Sequence, residues 1–366
     1  MKNASPLFTP FSYKSLLLPN RVVMAPMTRR KSPDGIPGPD VAAYYRRRAE
    51  GGVGLIITEG TTIDRPSASN DSDIPNFHDP RSFAGWRAVV EAVHAAGGKI
   101  APQLWHQGLL RKPGTGPRPY ALSEGPTASG AESIAMSDEA IADTIAAFAK
   151  AAGAAKDLGF DAVEVHGAHG YLIDQFLWEG VNRRTDRYGG NTTARALFAS
   201  EIIKAVRARV GPDFIISQRF SQWRTQDYES KLATTPALLE QILAPLADAG
   251  VDIFHASTRR FWEPEFAGSR LNLAGWTKKL TGRPVITVGS VGLDGPDFLA
   301  SLFGGDNSKV PAANMEALEE RLGNGEFDLV AVGRALAGDA QWLQKVREGR
   351  LDEIQPFQRD VLTTLS

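Results

Sequence analysis

The sequence predicts an α/β protein folded as a single (β/α)8 TIM barrel, and three observations support this fold class. Short apolar or β-branched segments alternate eight times with amphipathic, alanine-rich segments, which is the pattern of parallel βα units. No Gly-x-Gly-x-x-Gly motif follows the first apolar segment, as it would in a doubly wound dinucleotide-binding sheet. No low-complexity linker divides the 366 residues, so we predict one domain over residues 1–366.

The eight apolar segments are the predicted barrel strands. They are Arg21–Ala25, Val53–Thr58, Lys99–Leu104, Asp161–Val165, Phe214–Arg219, Asp252–Ala256, Pro284–Val288 and Asp328–Val332. The strands are apolar along most of their length, as expected where both faces of a parallel sheet are covered. The residues before them, as far as Pro19, predict irregular structure with a short hairpin.

Amphipathic segments between the strands are the predicted helices. They are Asp40–Glu50, Arg81–Ala96, Asp138–Leu158, Thr192–Val210, Pro236–Ala249 and Asp339–Glu348. Asp138 and Asn191 are suitable N-caps for two of them, because their side chains can accept hydrogen bonds from free backbone N–H groups. Several of these segments are followed by a glycine, such as Gly250, which favours a left-handed C-cap.

Two connections are longer than a βα loop requires. Residues 107–137 follow the third strand and are rich in proline and glycine, so we predict a cap over the barrel mouth. Residues 304–325 lengthen the connection after the seventh strand, and we predict a surface elaboration there.

Composition excludes several classes of function. The 41 basic and 42 acidic residues give a net charge of −1, and the absence of a long basic block argues against a nucleic-acid partner. The chain has no cysteine, which excludes disulfides, thiolate metal sites and cysteine nucleophiles. Leu16–Leu18 is far too short to span a bilayer. We therefore expect a cytoplasmic protein without a membrane partner, as a monomer or a homodimer.

The richest candidate site follows the fourth predicted strand. His166, His169 and Tyr171 lie within six positions, separated by glycines that allow the backbone to turn. Functional residues of TIM barrels follow the C-terminal ends of the strands, which is where this stretch falls. Imidazoles can donate hydrogen bonds to a substrate oxygen and a phenol can deliver a proton, so the stretch indicates acid–base chemistry.

Two further strand ends predict a phosphate site. Gly289 and Ser290 follow the seventh strand, and Gly333 and Arg334 follow the eighth, the two loops where barrels often bind phosphate. Glycines let backbone N–H groups approach an anion, and Arg334 supplies a planar set of donors.

Arg219 and Gln103 are polar residues at the ends of the fifth and third strands. Arg219 could form an ion pair with Glu164 or Glu59 inside the barrel, or it could stabilise negative charge on a cofactor. Gln103 combines a donor with an acceptor, which complements a uracil-like edge, although a buried glutamine more often bonds to backbone.

Taken in order, these motifs resemble the Old Yellow Enzyme family of FMN-dependent NADH:flavin oxidoreductases and ene-reductases. The motifs are NRVVMAPMTR (20–29), RAEGGVGLIITEG (48–60), QLWHQG (103–108), HGAHGYL (166–172), NRRTDRYGG (182–190), VGSVG (288–292) and VGRALAGD (332–339). They cover nearly the whole chain. Thr28 and Trp105 resemble the branch of the family without a cysteine beside the flavin.

The resemblance implies a TIM barrel that holds FMN non-covalently at its C-terminal mouth. Gln103 would bind the pyrimidine edge of the flavin, and Arg219 would lie near the end of the ring where the reduced flavin carries negative charge. The other implied cofactor contacts are Pro26, Met27, Thr28 and Gly60 at the ring, and Gly289, Ser290, Gly333 and Arg334 at the phosphate.

The resemblance also implies a reaction. NADPH or NADH would reduce the flavin, and an activated alkene such as an enone or nitroalkene would then use the same site, which gives ping-pong kinetics. His166 and His169 would bind the activating oxygen, hydride would pass to the β-carbon, and Tyr171 would protonate the α-carbon. Trp105 would lie over the substrate. Trp178 and the basic, bulky Arg259–Trp262 depart from the family pattern.

Alternatives to this reaction remain open from the sequence. A metal-dependent barrel hydrolase could use His166, His169 and His255, with Glu164 as a further ligand. A flavin-binding protein without turnover is another possibility. A lyase acting through a lysine Schiff base is poorly supported, since no lysine lies at the end of a predicted strand.

Overall fold

A computed structural model describes residues 5–293 and 312–366 as a closed barrel of eight parallel strands. The strands are Val22–Met24, Leu55–Thr62, Lys99–Trp105, Ala162–His169, Ile215–Arg224, Ile253–Ser257, Val285–Val288 and Leu329–Val332. Each strand pairs in parallel with the next along the chain, and the eighth pairs with the first. The predicted (β/α)8 fold class is therefore confirmed. We refer to these strands below as the first to the eighth.

The helices surround the barrel. Their bounds are Pro39–Glu50, Pro80–Ala95, Asp138–Asp157, Leu172–Leu177, Thr192–Arg195, Leu197–Val210, Pro236–Ala249, Leu273–Thr281, Ala312–Gly323, Arg334–Gly338 and Trp342–Glu348. Their apolar faces pack on the outer faces of the strands in a large buried cluster. Alternation along each strand therefore sends one set of side chains outward to the helices and the other into the barrel.

The inside of the barrel has an apolar floor and a polar layer above it. Ala162 on the fourth strand belongs to the inner apolar cluster with Ala101 and Ile215. Glu164 lies two residues further along the same strand and so faces the same way. Polar side chains that could take part in a reaction therefore lie toward the C-terminal mouth of the barrel.

A hairpin near the N-terminus closes the opposite end of the barrel. Phe11–Tyr13 pairs antiparallel with Leu16–Leu18, as the sequence suggested. Leu16 and Leu18 are buried in the same cluster as the apolar floor. The opening of the barrel thus lies at the C-terminal end of its strands.

The predicted helices differ from the structure in one capping residue, one internal break and one starting residue. Ser137, not Asp138, caps its helix, because the Ser137 hydroxyl oxygen accepts a hydrogen bond from the backbone N–H of Ala140 at 3.1 Å. The predicted Thr192–Val210 helix is two helices that meet at Ala196. The backbone N–H of Ala196 is shared between the carbonyl oxygens of Thr192 and Thr193.

The last predicted helix begins at Trp342 rather than at Asp339. The Asp339 carboxylate accepts hydrogen bonds from the N–H of Gln341 and from Lys345 Nζ, so it organises the turn before the helix. Asn191 caps its helix as predicted, with its side-chain oxygen 2.9 Å from the backbone nitrogen of Ala194.

The two long connections are built differently. Residues 107–137 contain a two-stranded parallel ladder of Ser123–Gly125 with Ser133–Ala135, held to the barrel by a 2.8 Å ion pair between Glu124 and Arg65. Of the predicted elaboration at 304–325, residues 304–311 lie outside the described residues and Ala312–Gly323 is a helix. No helix in the described part of the chain is long and apolar enough to cross a membrane.

Candidate active site

A cavity of about 400 Å³ opens at the C-terminal mouth of the barrel. Its volume lies within the range of small-molecule and cofactor sites. The structure brings together in its lining every residue that the sequence analysis assigned to a cofactor or substrate: Pro26, Met27, Thr28, Gly60, Gln103, Trp105, His166, His169, Tyr171, Arg219, Gly289, Ser290, Gly333 and Arg334. These residues come from seven different strand ends, so only the closed barrel makes them neighbours.

A turn in the backbone gathers the histidines and the tyrosine. The fourth strand runs to His169, with a shift of register after Gly167. His169 and Gly170 both have positive φ, 65° and 85°, which reverses the chain before Tyr171 begins the next helix. The rings of His166 and Tyr171 are therefore 4.9 Å apart between centroids, although the residues are five positions apart.

His166 is a neutral hydrogen-bond donor. Its Nδ1 accepts a hydrogen bond from the backbone N–H of Ala168 at 3.3 Å, so the neutral ring carries its proton on Nε2. Burial, reinforced by the charge of Arg219, lowers the pKa of His166 to about 3. The imidazole thus offers an N–H group to a ligand without carrying a charge at neutral pH.

His169 belongs to a small polar network on the cavity wall. Its Nε2 lies 2.8 Å from the hydroxyl oxygen of Ser257, which also accepts a hydrogen bond from Arg219 at 3.3 Å. Burial lowers the pKa of His169 well below its usual value, so this ring is neutral as well. The two imidazole centroids are 5.3 Å apart and can contact one ligand atom together.

Tyr171 keeps its proton at neutral pH. Burial raises the pKa of its phenol above the ordinary value, with only partial opposition from Arg30 and Arg219. Its ring packs edge-on against Trp105 with centroids 4.9 Å apart. A protonated phenol held by an aromatic neighbour beside two imidazoles can serve as a general acid.

Glu164 organises the polar layer below the cavity. Its carboxylate accepts hydrogen bonds from Gln103 Nε2 at 2.8 Å and from the Ser217 hydroxyl at 2.9 Å, and it contacts His255 Nδ1 at 2.8 Å. Burial by itself raises the pKa of Glu164, but His255, Arg219 and the Gln103 hydrogen bond lower it to about 2. The carboxylate is therefore charged and holds Gln103 in one orientation.

The metal-dependent alternative finds no support in this geometry. His255 is fully buried beneath the cavity and pairs with Glu164 instead of joining His166 and His169 at the surface of the cavity. Within residues 5–293 and 312–366, no group of three His, Asp or Glu side chains converges as a metal site requires.

The loops after the seventh and eighth strands form an open cradle. A side chain at Gly289 would place its Cβ 2.6 Å from the Thr258 hydroxyl, so only glycine fits there. At Gly333, the atom of the described residues nearest to an added Cβ would be Met27 Sδ at 3.6 Å, which is an ordinary contact. Arg334 donates a hydrogen bond to the Ser290 hydroxyl at 3.3 Å and so is held beside both loops.

These residues fit FMN. Arg219 is buried in the cavity lining, and its Nε has no hydrogen-bond partner among the described residues. This N–H group can therefore donate a hydrogen bond to an electron-rich ligand in the cavity. The cradle with Arg334 lines the same cavity and suits a phosphate. Gln103, fixed by Glu164, retains a carbonyl oxygen as an acceptor for the edge of a ring.

Comparison with known proteins identifies the family. The model of the NADH:flavin oxidoreductase / NADH oxidase family matches residues 6–300. The chain belongs to this family. Its members include the Old Yellow Enzyme relatives that the motifs predicted, so the resemblance is confirmed.

Similarity to individual proteins supports the same family assignment. The chain is 36% identical over 361 residues to the NADH oxidase of Thermoanaerobacter brockii, covering 95% of this chain and 52% of that protein. It is 38% identical over 226 residues to 12-oxophytodienoate reductase 2 of Arabidopsis thaliana, covering 58% and 60%. It thus spans only about half to three fifths of these curated relatives. A structure of morphinone reductase in complex with tetrahydroNAD superposes with a TM-score of 0.80 at 30% identity, covering 97% of this chain and 93% of that one.

Part of the cavity wall in this family member is formed by residues that were not assigned to the site from the sequence. The additional lining residues include Trp223, Thr225, Tyr228, Ser257, Thr258, Arg259, Phe357 and Leu362. The fifth strand continues to Arg224, five residues beyond its predicted end, and this extension brings Trp223 to the cavity. The segment predicted as a cap, 107–137, contributes no lining residue, because it is held beside the barrel by Glu124 and Arg65.

Trp178, which departs from the family pattern, supports a buried carboxyl group behind the turn. Asp174 Oδ2 accepts hydrogen bonds from the N–H of Gly170 at 2.7 Å and from Trp178 Nε1 at 3.0 Å. Burial raises the pKa of Asp174 to about 7, against the opposing effect of these hydrogen bonds and of Arg224. Trp178 therefore helps to hold the peptide between His169 and Tyr171.

Asp174→Asn is expected to change how stability depends on pH. The folded-state pKa lies above the unfolded value of about 3.9, so the stability linked to this proton is present at low pH and is lost as pH rises toward 7. The free energy of unfolding of the wild type should therefore fall relative to Asp174→Asn, by up to about 1.4 kcal/mol per pH unit. Urea unfolding followed by circular dichroism over this pH range measures the difference.

A second buried carboxyl group titrates in the same pH range but does not affect the comparison. Burial also raises the pKa of Glu59 to about 7, but Glu59 is present in both proteins and cancels in the difference. Parallel curves of unfolding free energy against pH would show that Asp174 does not titrate in this range.

Proposed function

We propose that the protein is an FMN-dependent oxidoreductase that uses NADPH or NADH to reduce activated C=C bonds in small molecules such as enones and nitroalkenes. One observation carries the proposal: two neutral imidazoles and a protonated phenol line the same cavity as a loop cradle that suits a phosphate. The similarity to an NADH oxidase, a 12-oxophytodienoate reductase and a morphinone reductase supports it. We place the activity in residues 1–366 acting as one unit.

The cofactor would be held from several sides. Gly289, Ser290, Gly333 and Arg334 would bind the phosphate, while Pro26, Met27, Thr28 and Gly60 would line the ring. Gln103 would contact the pyrimidine edge and Arg219 would stabilise negative charge. Bound and reduced FMN supplies hydride for the β-carbon of the alkene.

The substrate would be activated by the two imidazoles. His166 Nε2–H and His169 would donate hydrogen bonds to the carbonyl or nitro oxygen, which draws electron density from the C=C bond and stabilises the enolate that develops. Because both rings are neutral, they would stabilise this charge by hydrogen bonding alone and would not transfer a proton to the oxygen. His169 would exchange its contact with Ser257 for the ligand.

Tyr171 would complete the reaction. Its phenol is protonated at neutral pH and would deliver this proton to the α-carbon, with Trp105 holding the ring. The reductant and the alkene would use the same cavity in turn, which predicts ping-pong kinetics.

The visible spectrum tests the proposed function directly. Purified protein reconstituted with FMN should show a flavin band that NADPH or NADH bleaches under anaerobic conditions, and cyclohexenone should restore it. A bleached flavin that no activated alkene reoxidises would favour a flavin-binding protein without alkene turnover. Protein that cannot retain FMN would contradict the proposal, and elemental analysis would then test for a metal.

Arg334→Ala is expected to weaken FMN retention. A charge-assisted contact from a guanidinium to a phosphate is worth about 1.5–3 kcal/mol, so the Kd for FMN should rise about tenfold or more. Fluorescence titration of the apoprotein with FMN measures the Kd. Arg347→Ala is the matched control, since this exposed arginine contacts Phe8 and does not line the cavity. Equal FMN affinity in all three proteins would remove Arg334 from the phosphate site.

A further inference from the structure

A buried carboxylate holds the loop that follows the first strand. Glu59 lies on the second strand, and its Oε2 accepts hydrogen bonds from the backbone N–H of Arg29 at 2.7 Å and of Arg30 at 3.1 Å. Two successive N–H groups that point at one oxygen form a concave anion site in the backbone. Residues 26–28, directly before them, line the cavity. Glu59 therefore fixes the backbone from which three lining residues project.

The loop has a conformation that requires such support. Arg30 has a φ of 56°, in the left-handed region that residues with a Cβ rarely adopt. A residue persists in this region only where its surroundings determine its conformation. The Arg30 side chain forms a 2.9 Å ion pair with Asp71, but this side chain is exposed and such a pair contributes little stability. The turn therefore depends on the buried carboxylate of Glu59.

The main chain of Glu59 is held independently of its side chain. Its backbone N–H donates a hydrogen bond to the hydroxyl oxygen of Tyr45 at 2.9 Å, and Tyr45 is buried in the helix Pro39–Glu50. Gly60, the next residue of the strand, lines the cavity. A change at the carboxylate can consequently affect residues 26–28 while Gly60 stays in place.

The charge of Glu59 changes near neutral pH. Burial raises the pKa of its carboxyl group to about 7, against the two backbone hydrogen bonds and the attraction of Arg29. Repulsion by Asp71 acts in the same direction as burial. The nearby Tyr45 hydroxyl keeps its proton, because burial raises its pKa well above the usual value. An ionised carboxylate binds N–H groups more strongly than the neutral acid, so protonation of Glu59 weakens its contact with the loop.

We propose that Glu59 is a positioning residue of the flavin site, which holds residues 26–28 in place through the backbone N–H groups of Arg29 and Arg30. This inference rests on the proposed function, in which those three residues line the flavin ring. An ordered loop loses less conformational freedom when it binds a ligand, so the protein with ionised Glu59 binds FMN more tightly. By reciprocity, FMN binding favours the ionised form, and Glu59 releases a proton near neutral pH.

Glu59→Gln tests the inference, because glutamine keeps the size of the side chain and one acceptor oxygen but cannot ionise. The apoprotein is titrated with FMN between about pH 6 and about pH 8, and flavin fluorescence gives the Kd. Ionisation of the FMN phosphate is common to both proteins and cancels in the ratio of their Kd values. The ratio of the Glu59→Gln Kd to the wild-type Kd should rise with pH and reach about tenfold at about pH 8.

Proton release is a readout that a purely structural effect of the substitution would not change. Calorimetry in two buffers of different ionisation enthalpy counts the protons released when FMN binds. The wild type should release more protons than Glu59→Gln at about pH 7. Riboflavin lacks the phosphate, so its binding to the wild type should also release a proton, and this measurement needs no variant.

Glu326→Gln is the matched control. Burial raises the pKa of this carboxyl group as well, but Glu326 pairs with Arg321 at 3.6 Å and does not line the cavity. This variant should bind FMN as the wild type does at each pH. A Kd ratio for Glu59→Gln that does not change with pH, or wild type that binds riboflavin without releasing a proton, would overturn the role of Glu59. Wild type that binds FMN at no pH would instead contradict the proposed function.

Discussion

Tyr171→Phe is expected to slow the alkene half-reaction by about 10²- to 10⁴-fold, the usual contribution of a positioned general acid. The substitution removes only the hydroxyl, so the edge-on packing of the ring against Trp105 should remain. Flavin reduction by NADPH or NADH needs no proton from this phenol and should be unaffected. Separate anaerobic rapid-mixing measurements of the two half-reactions reveal the asymmetry.

A second tyrosine provides the control for that experiment. Tyr44 is buried away from the cavity, and its hydroxyl has no partner among the described residues, so Tyr44→Phe should leave both half-reactions intact. If Tyr171→Phe slows both half-reactions equally, the phenol is not the specific proton donor to the alkene.

His166→Ala is expected to lower the rate of alkene reduction by about 10²- to 10³-fold, the cost of losing one preorganised donor to a developing oxyanion. The affinity for phenols, whose oxygen resembles the enolate, should fall about tenfold for the loss of one hydrogen bond. Absorbance titration of the oxidised, FMN-loaded protein with 4-hydroxybenzaldehyde measures this affinity through changes in the flavin band.

The pH dependence of phenol binding tests the same role. Burial keeps the pKa of His166 at about 3, so His166 does not change its protonation state between about pH 6 and about pH 8. Its contribution to phenol affinity should therefore be the same across this range.

His94→Ala is the control for His166→Ala, because His94 pairs with Asp161 on the outside of the barrel. Unchanged phenol affinity in His166→Ala would exclude His166 from the oxygen-binding role.

The fold and the inner part of the site could be predicted because their signals are local. Each strand is a short apolar segment, and the barrel rule places the residues after it at the mouth. His166, His169 and Tyr171 are adjacent in sequence, so a single turn suffices to bring them together. Gly289 and Arg334 could be assigned by the same rule to loops known to bind phosphate.

Errors arose where local signals compete. Asp138 and Ser137 are both good N-caps, and only the structure shows that the Ser137 oxygen reaches the backbone N–H of Ala140. The proline- and glycine-rich composition of 107–137 led to the prediction of a cap, but no residue of this segment lines the cavity. Composition cannot say on which side of the barrel such a connection packs, and here the buried contact of Glu124 with Arg65 decides it.

The sequence by itself determined the barrel, the family and the residues of the inner cavity, because these depend on periodicity and on motifs within single strand ends. The tertiary structure alone decided how Glu164 joins Gln103 and His255, and how Trp223, Tyr228 and Arg259 complete the outer wall. Such contacts join residues from different strands and loops. Their distances follow from the closure and stagger of the barrel, which no local pattern encodes.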